Sequence, residues 1–407
     1  MGTLKVLHTS DWHLGATLGE ASREADHRQF LGWLCETVRN SSVDVLVVAG
    51  DIFDQATPSA EAQRLYYGLL HDLTDSGLTQ IVIVGGNHDS PSRLEAPRDL
   101  LHLFNVHVVG GLTADTESLK RCVCPIRGKT GGLAAVVMAV PFVHEWRLGY
   151  RYDGGTVPES ASALNKCFRG LYEEAASLGE AAGGGAPLLA TGHLACAGSE
   201  KEDAPMEIHR VGTLGGLSPD VLDPRFRYVA LGHIHRSYRV GETWAWYSGS
   251  PIALSTKEGK TPRVVNLVTV PETGPVEVER LLVPATRPVL EVRGDLAQVK
   301  AKLESLHPIG TLPPFVDVSI EVPSYQIGLE EEIRKFVLQL ADGPVLVDLR
   351  QTREAVRDSS GKTEGTAVRL DQLTPAEVFR RLCVDRGEHA DELMPAFESL
   401  LSEQVEP

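Results

Sequence analysis

Five times in this chain a run of apolar, mostly β-branched residues stops at a small residue and gives way to a polar cluster: KVLHTSDWH, VDVLVVAGDIFD, TQIVIVGGNHD, APLLATGHL and RYVALGHIH. Apolar runs without polar alternation suit strands covered on both faces. Helical patterns separate the early runs. Phe30, Leu31, Leu34 and Val38 space as one helix face, and Leu65, Leu69, Leu70 and Leu73 as another. Strand alternating with helix predicts an α/β fold with helices layered on a sheet. Ligands in such folds bind beyond the carboxyl ends of strands. All five polar clusters are expected there, at one edge of one sheet.

The 407 residues exceed one ordinary domain, and 42% hydrophobic with 23% charged residues gives ample core. The apolar runs are strand-sized, so neither a membrane span nor a secretory leader is expected. Cys35, Cys122, Cys124, Cys167, Cys196 and Cys383 are scattered without a C-x-x-C pair, which reads as reduced thiols in a cytosolic protein. RCVCP is most simply a strand edge. A net charge of −16 argues against tight autonomous nucleic-acid binding. Bound divalent metals would reverse that balance locally.

Residues 145–187 read as an excursion: a helix in SALNKCFRGLYEEAASL that runs into a flexible GEAAGGGAP. TWAWYSGSPIALS and PRVVNLVTV read as strands closing a second sheet. From 286 to 350 the pattern is βαβαβ, expected as a small α+β domain of split-βαβ type. TREAVRDSSGKTEGTAVR is a linker by composition. Beyond it, Thr374, Pro375 and Glu377 match a helix start, and ADELMPAFESLLSEQ a second short helix. The expected division is 1–285, 286–350 and 351–407, the last a linker with C-terminal helices that dock on a partner.

The clusters collect Asp11 and His13; Asp51; Asn87, His88 and Asp89; His193; His233 and His235. Each alone has a plain explanation as a hydrogen-bonded strand end or turn. Together they form a set of imidazole, carboxylate and amide donors without thiolate. That set favours Mn²⁺, Fe²⁺ or Zn²⁺ over Ca²⁺. Seven ligand candidates are too many for one ion and suit two that share a carboxylate. Two ions about 3.5–4 Å apart can clamp an in-line displacement at phosphorus.

DWH, GDIFD, GNHD, GHL and GHIH together resemble the motifs of calcineurin-like metallophosphoesterases. With YSGSPIALS, the longer forms LHTSDWHLG, VAGDIFD, GGNHDS, ATGHL and ALGHIHR are similar to the bacterial SbcD nucleases, kin of the Mre-type DNA-repair nucleases. The resemblance implies a four-layer αββα sandwich with a small α+β capping domain and a C-terminal helical tail. It implies two Mn²⁺ ions, one on Asp11, His13 and His235, the other on Asn87, His193 and His233, bridged by Asp51. His88 is implied as the catalytic histidine that is not a ligand. Asp89 is left between positioning His88 or its loop and capping a helix. His8, Asp54 and His27 read as strand packing, a turn residue and a helix-start residue.

The family further implies a cytoplasmic, nucleoid-associated nuclease acting on double-stranded DNA ends and hairpins. It would be a homodimer within a heterotetramer with an SMC-like ATPase of the SbcC type. GKT at Gly128, Gly259 and Gly361 lacks the glycine a P-loop needs five residues earlier, so ATP hydrolysis would belong to that partner. Lys300, Lys302, Arg334 and Lys335 are DNA-contact candidates on the cap, with helix-face solvation an equal account. Val378, Phe379 and Leu382 mark the expected docking face. The rival reading is a calcineurin-like phosphatase or phosphodiesterase for small or protein substrates. GNHD, GDIFDQ and the long C-terminal region argue against it.

Overall fold

The computed structural model describes residues 3–113, 115–150, 157–196, 216–306, 310–340 and 343–353, with Phe379, Leu393, Met394 and Phe397. The first three apolar runs become strands Leu4–Thr9, Val45–Ala49 and Gln80–Val84, which pair in parallel in a six-stranded sheet. Val106–Val109 extends that sheet on one side. Val264–Val270 and Glu277–Leu282 extend it, antiparallel, on the other. The fourth and fifth runs, Leu188–His193 and Tyr228–Gly232, pair in parallel inside a second six-stranded sheet. Of the two segments expected to close that sheet, Ala245–Tyr247 joins it. Val264–Val270 instead pairs with Leu4–Thr9. Apolar pattern marks a buried strand; only hydrogen-bond pairing selects its sheet.

Side-chain alternation makes layers from these sheets. Leu46, Val48, Ile81 and Ile83 face helices Glu24–Asn40 and Ala60–Leu73 and join Phe30, Leu34, Val38, Leu65 and Leu69 in one core. Val45, Val47, Ala49, Val82 and Val84 face the other way and pack into a core shared with the second sheet. The expected helix faces at 30–38 and 65–73 are therefore the buried ones. Ser59 starts the second helix by accepting from the Ala62 amide at 3.1 Å.

The segment expected as an excursion is the fourth layer. Helix Val157–Gly183 lays Leu164, Phe168, Tyr172, Ala175 and Ala176 against the second sheet. It continues through GEAAG because its small residues allow close approach: a Cβ on Gly179 would press on Met138 and Leu188. The order helix, sheet, sheet, helix is the αββα sandwich expected.

The third sheet has strands Val289–Gly294, Phe315–Val322 and Val345–Arg353 in that order, with helices Leu296–Glu304 and Leu329–Gln339 between them. The first two strands are direct, parallel neighbours. The expectation of a split βαβ unit is thus corrected. The nine-residue helix after Val289–Gly294, opened by an Asp295–Gln298 capping box, returns the chain to the adjacent position with no strand inserted. Phe315 and Val347 pack with Leu18 of the short hairpin 17–22. Beside them buried Asp26 accepts from Thr286, Arg287 and Arg23.

Compact packing divides the chain into residues 1–321 with 326–352, and residues 322–325 with 353–407. The expected linker begins within strand Val345–Arg353, and from 354 on it falls outside the described residues, as do Val378 and Leu382. Phe379 and Phe397 stack with ring centroids 4.1 Å apart. Gly128 sits in a tight turn between antiparallel strands and Gly259 in a single helical turn, as a loop reading of GKT requires; Gly361 is outside the described residues. Among the described residues no helix is long and apolar enough to cross a membrane.

Candidate metal centre

The five polar clusters do lie at strand carboxyl ends, but of two sheets rather than one. Thr9, Ala49 and Val84 end strands of the first sheet; His193 and Gly232 end strands of the second. The ends meet where the sheets abut. The His193 Nδ1–H donates across the gap to the Ala49 carbonyl at 2.9 Å. Gly50 makes this approach possible, since a Cβ there would collide with the His193 ring, and its φ of +91° suits glycine. Gly86 does the same beside the Asp51 carboxylate.

Two-residue spacing in extended chain would point Asp11 and His13 the same way, but neither residue is extended. Their φ values are +52° and +47°; Asp51 and His233 follow at +49° and +92°. Of the six non-glycine residues with positive φ among those described, four are ligand candidates. Each such conformation costs on the order of 1–3 kcal/mol and persists only where surrounding bonds enforce it. Those bonds are present. The amides of Asp11, His13 and Leu14 donate to the carbonyls of Gly50, Asp51 and Ile52 at 3.0, 3.0 and 2.9 Å. The His233 amide donates to Asp11 Oδ1 at 2.8 Å, and the His88 amide to Asp51 Oδ1 at 2.9 Å. Trp12 turns into the core, edge-on to Phe30. Its carbonyl is held by His27 Nε2 at 2.8 Å.

Three groups of donor atoms converge to within 4.8 Å of one another: Asp11, His13 and His235; Asp11, Asp51 and His193; His13, Asp51 and His88. Asn87 Oδ1 lies 3.0 Å from both His193 Nε2 and His233 Nδ1. The arrangement fits cations. Because His193 donates through Nδ1, its Nε2 carries the lone pair of the neutral ring. That lone pair faces Asn87 Oδ1 at 3.0 Å and Asp51 Oδ2 at 3.3 Å. Acceptor facing acceptor is stable only with a proton or a metal ion between them. Carboxylates face both ring nitrogens of buried His13, Asp54 Oδ1 at 3.3 Å from Nδ1 and Asp51 Oδ2 at 3.5 Å from Nε2, so its ring also lies among negative charges.

The electrostatics carry the same sign. Burial alone would raise the Asp51 carboxyl, but His193, His13 and His88 hold it well below the carboxylate range. Burial disfavours charge on His193, yet Asp51 outweighs it and lifts the imidazole to about 9. The pocket thus stabilises positive charge, whether as protons or as metal.

Three carboxylates support these positions; the sequence left Asp89 between positioning His88 or its loop and capping a helix, and gave Glu258 and Asp54 no functional role. Glu258 Oε1 accepts from His235 Nδ1 at 3.2 Å. Asp54, taken for a turn residue, lies 3.3 Å from His13 Nδ1, and its carbonyl holds His88 Nδ1 at 2.8 Å. A carboxylate behind a ligand imidazole fixes the ring and raises its basicity. Asp89 caps no helix; Ser90 holds that position. It accepts instead from the amides of Ile52, Phe53 and Gly86 at 3.0, 3.0 and 2.9 Å, tying GDIFD to GNHD. Only Asp54 and Asp89 had a sequence cue, by adjacency to the motifs. Glu258 is over twenty residues from His235 and had none. His8 is a packing residue as expected, bonded to the Tyr228 hydroxyl at 2.8 Å.

The calcineurin-like phosphoesterase family matches residues 4–237, the span that holds every ligand candidate. Residues 285–386 match a family described as the type 5 capsule protein repressor C-terminal domain. The SbcD subunit of the SbcCD nuclease of Escherichia coli (strain K12) is 34% identical over 93% of this chain and 92% of its own length. Proteins of the same name from Rhodobacter capsulatus and Bacillus subtilis are 37% and 30% identical, over 71% and 81% of this chain and 74% and 81% of theirs. This chain belongs to the SbcD family of calcineurin-like phosphoesterases.

For an SbcD-family protein the small sheet is sparing with free positive charge. Lys300 pairs with Glu332 at 2.6 Å, Arg334 with Glu20 at 3.6 Å and Lys335 with Glu331 at 3.4 Å. Lys302 donates to the Arg293 carbonyl.

Proposed function

We propose that this chain is the metal-dependent nuclease component of an SbcCD-type complex, a double-strand exonuclease and a single-strand and hairpin endonuclease acting on DNA ends in repair and recombination. The observation that carries the reading is the meeting of two sheet edges in one donor cluster, in a chain whose relatives are named nucleases over nearly their full length.

In this reading Asp11, His13 and His235 would hold one Mn²⁺, and Asn87, His193 and His233 the other, with Asp51 shared between them. Two such ions supply a water of lowered pKa and neutralise charge on the phosphate. The protein's part is to hold the donors at strained, pre-set positions so that no reorganisation accompanies the reaction. His88 acts on the leaving oxygen. Its Nδ1–H donates to the Asp54 carbonyl at 2.8 Å, which fixes the tautomer and reserves Nε2 for proton exchange. On a chain of net charge −16, bound divalent ions would also supply positive potential toward a phosphodiester.

Residues 1–285 form the nuclease domain, 286–350 a cap, and 351–407 the linker and helices that dock the SMC-like ATPase, in the cytoplasm at the nucleoid. The exposed apolar cluster Leu100, Leu103 and Phe104 supports a homodimer within the heterotetramer. The test is cleavage of hairpin and protein-blocked duplex DNA with Mn²⁺, Mg²⁺ or EDTA, with and without the ATPase and ATP. Metal-dependent cleavage that EDTA abolishes is expected. Hydrolysis of small phosphodiesters alone, with all DNA forms untouched, would overturn the assignment.

A further inference from the structure

The loop after strand Leu133–Met138 carries a row of aromatic rings that the metal centre does not use. It opens on Phe142, whose ring lies edge-on to His193 with centroids 6.2 Å apart. Phe142 meets His144 at 4.8 Å, and His144 lies against Trp146 at 6.1 Å with planes only 23° apart. The row starts at a ligand candidate and ends in solvent: Trp146 is 61% exposed. The Arg147 guanidinium sits 4.8 Å from the centre of the Trp146 ring.

The loop is fixed in place. The Phe142 amide donates to the Gly85 carbonyl at 2.8 Å, one residue from GNHD. Arg147 donates to the Leu112 carbonyl at 3.0 Å. Gly149, at φ +75°, ends the turn that presents Trp146. A large aromatic side chain held out in water exposes apolar surface that packing would normally cover. Here it is pre-positioned, so a ligand that stacks on it meets little ordering cost.

We infer that His144, Trp146 and Arg147 form a stacking platform for an unpaired nucleobase of the DNA strand that enters the metal centre. The inference rests on the nuclease reading above. Any base offers a π-face to an aromatic ring, and an arginine over that ring adds cation–π attraction without sequence preference. Distance agrees. Ring-to-ring steps of 6.2, 4.8 and 6.1 Å separate His193 from Trp146. That path is no longer than about five base steps at ~3.4 Å each. Paired bases in a duplex stack on each other and cannot reach a lateral ring, so the platform selects frayed ends, hairpin loops and single strands.

The test uses the full chain with Mn²⁺ and oligonucleotides of non-hydrolysable backbone, so that the metal centre stays loaded and nothing is cut. A single-stranded oligonucleotide is titrated while tryptophan fluorescence and anisotropy of a labelled strand are followed. Wild type should show quenching of an exposed tryptophan. Trp146→Ala should lose that quenching and weaken single-strand binding roughly 5- to 150-fold, the range of one lost stack. Blunt-duplex binding should change by less than twofold, and Trp146→Phe should recover most of the affinity. Equal single-strand affinity in wild type and Trp146→Ala overturns the platform. So does equal weakening on blunt duplex, or loss of ATPase association with DNA binding intact. If wild type with Mn²⁺ cleaves DNA while Trp146→Ala binds normally, only the platform fails. If wild type neither binds nor cleaves any DNA, the nuclease reading fails as well.

Discussion

Asp89→Asn removes one negative charge and one acceptor from a buried clamp, and its cost follows from the geometry. Asp89 Oδ2 accepts from the Ile52 and Gly86 amides, and Oδ1 from the Phe53 amide. The asparagine oxygen can occupy only one of those places. If it takes the Oδ2 place, the NH₂ group faces the Phe53 N–H, donor against donor. A lost charge-assisted bond is worth roughly 1.5–3 kcal/mol, and an unsatisfied buried donor adds about 1–3 kcal/mol. Relief of repulsion works the other way, since burial and Asp51 raise the Asp89 carboxyl to about 6. We therefore expect a net loss of up to about 3 kcal/mol at pH 8, where the wild-type group is ionised. Asp89→Ala, which keeps none of the three acceptors, should lose more. The clamp joins the loop of Asp51 to that of Asn87 and His88, so metal affinity should fall with stability. Urea unfolding and calorimetric Mn²⁺ titration measure the two losses. Stability within 0.5 kcal/mol of wild type together with unchanged Mn²⁺ affinity would refute the clamp.

Other substitutions separate the parts of the site. His88→Ala should abolish DNA cleavage while elemental analysis still finds metal, whereas Asp51→Asn should lose both; intact cleavage in His88→Ala would remove that residue from the mechanism. If the proposed homodimer forms through the exposed apolar patch that includes Leu103, 76% exposed, wild type should scatter light as a dimer and Phe104→Glu as a monomer; a monomeric wild type, or a variant that stays dimeric, would overturn that placement. Acid stability should depend on His8, whose imidazole burial pushes down to about 3. Its folded pKa lies below the unfolded 6.5, so the unfolded chain binds the extra proton. Stability is full above pH 6.5 and falls as pH drops toward 3, by up to ~1.4 kcal/mol per unit from this group. His8→Gln should flatten the slope of unfolding free energy between pH 6 and 4; an unaltered slope would show that His8 is not the group titrating.

The sequence alone determined the strands, two helix faces and the ligand candidates. Each is a local signal: an apolar run, a 3.6-residue period, or a polar cluster where the run stops. Phe30, Leu34, Leu65 and Leu69 were legible because burial on one face forces that spacing. So were the donor types at Asp11, His13, Asp51, Asn87, His193, His233 and His235. Tertiary structure decided everything that depends on what lies opposite. It assigned the five strand ends to two sheets and sent Val264–Val270 to the first. It made residues 157–183 a packed layer, because Phe168 and Tyr172 find a sheet beneath them. It put Asp11, His13, Asp51 and His233 at positive φ, where only bonds from distant loops could hold them. Glu258 behind His235 and the approach of Phe142 to His193 belong to the same class. Nothing in the spacing of those residues announces their partners, since contacts across a chain leave no periodic mark along it.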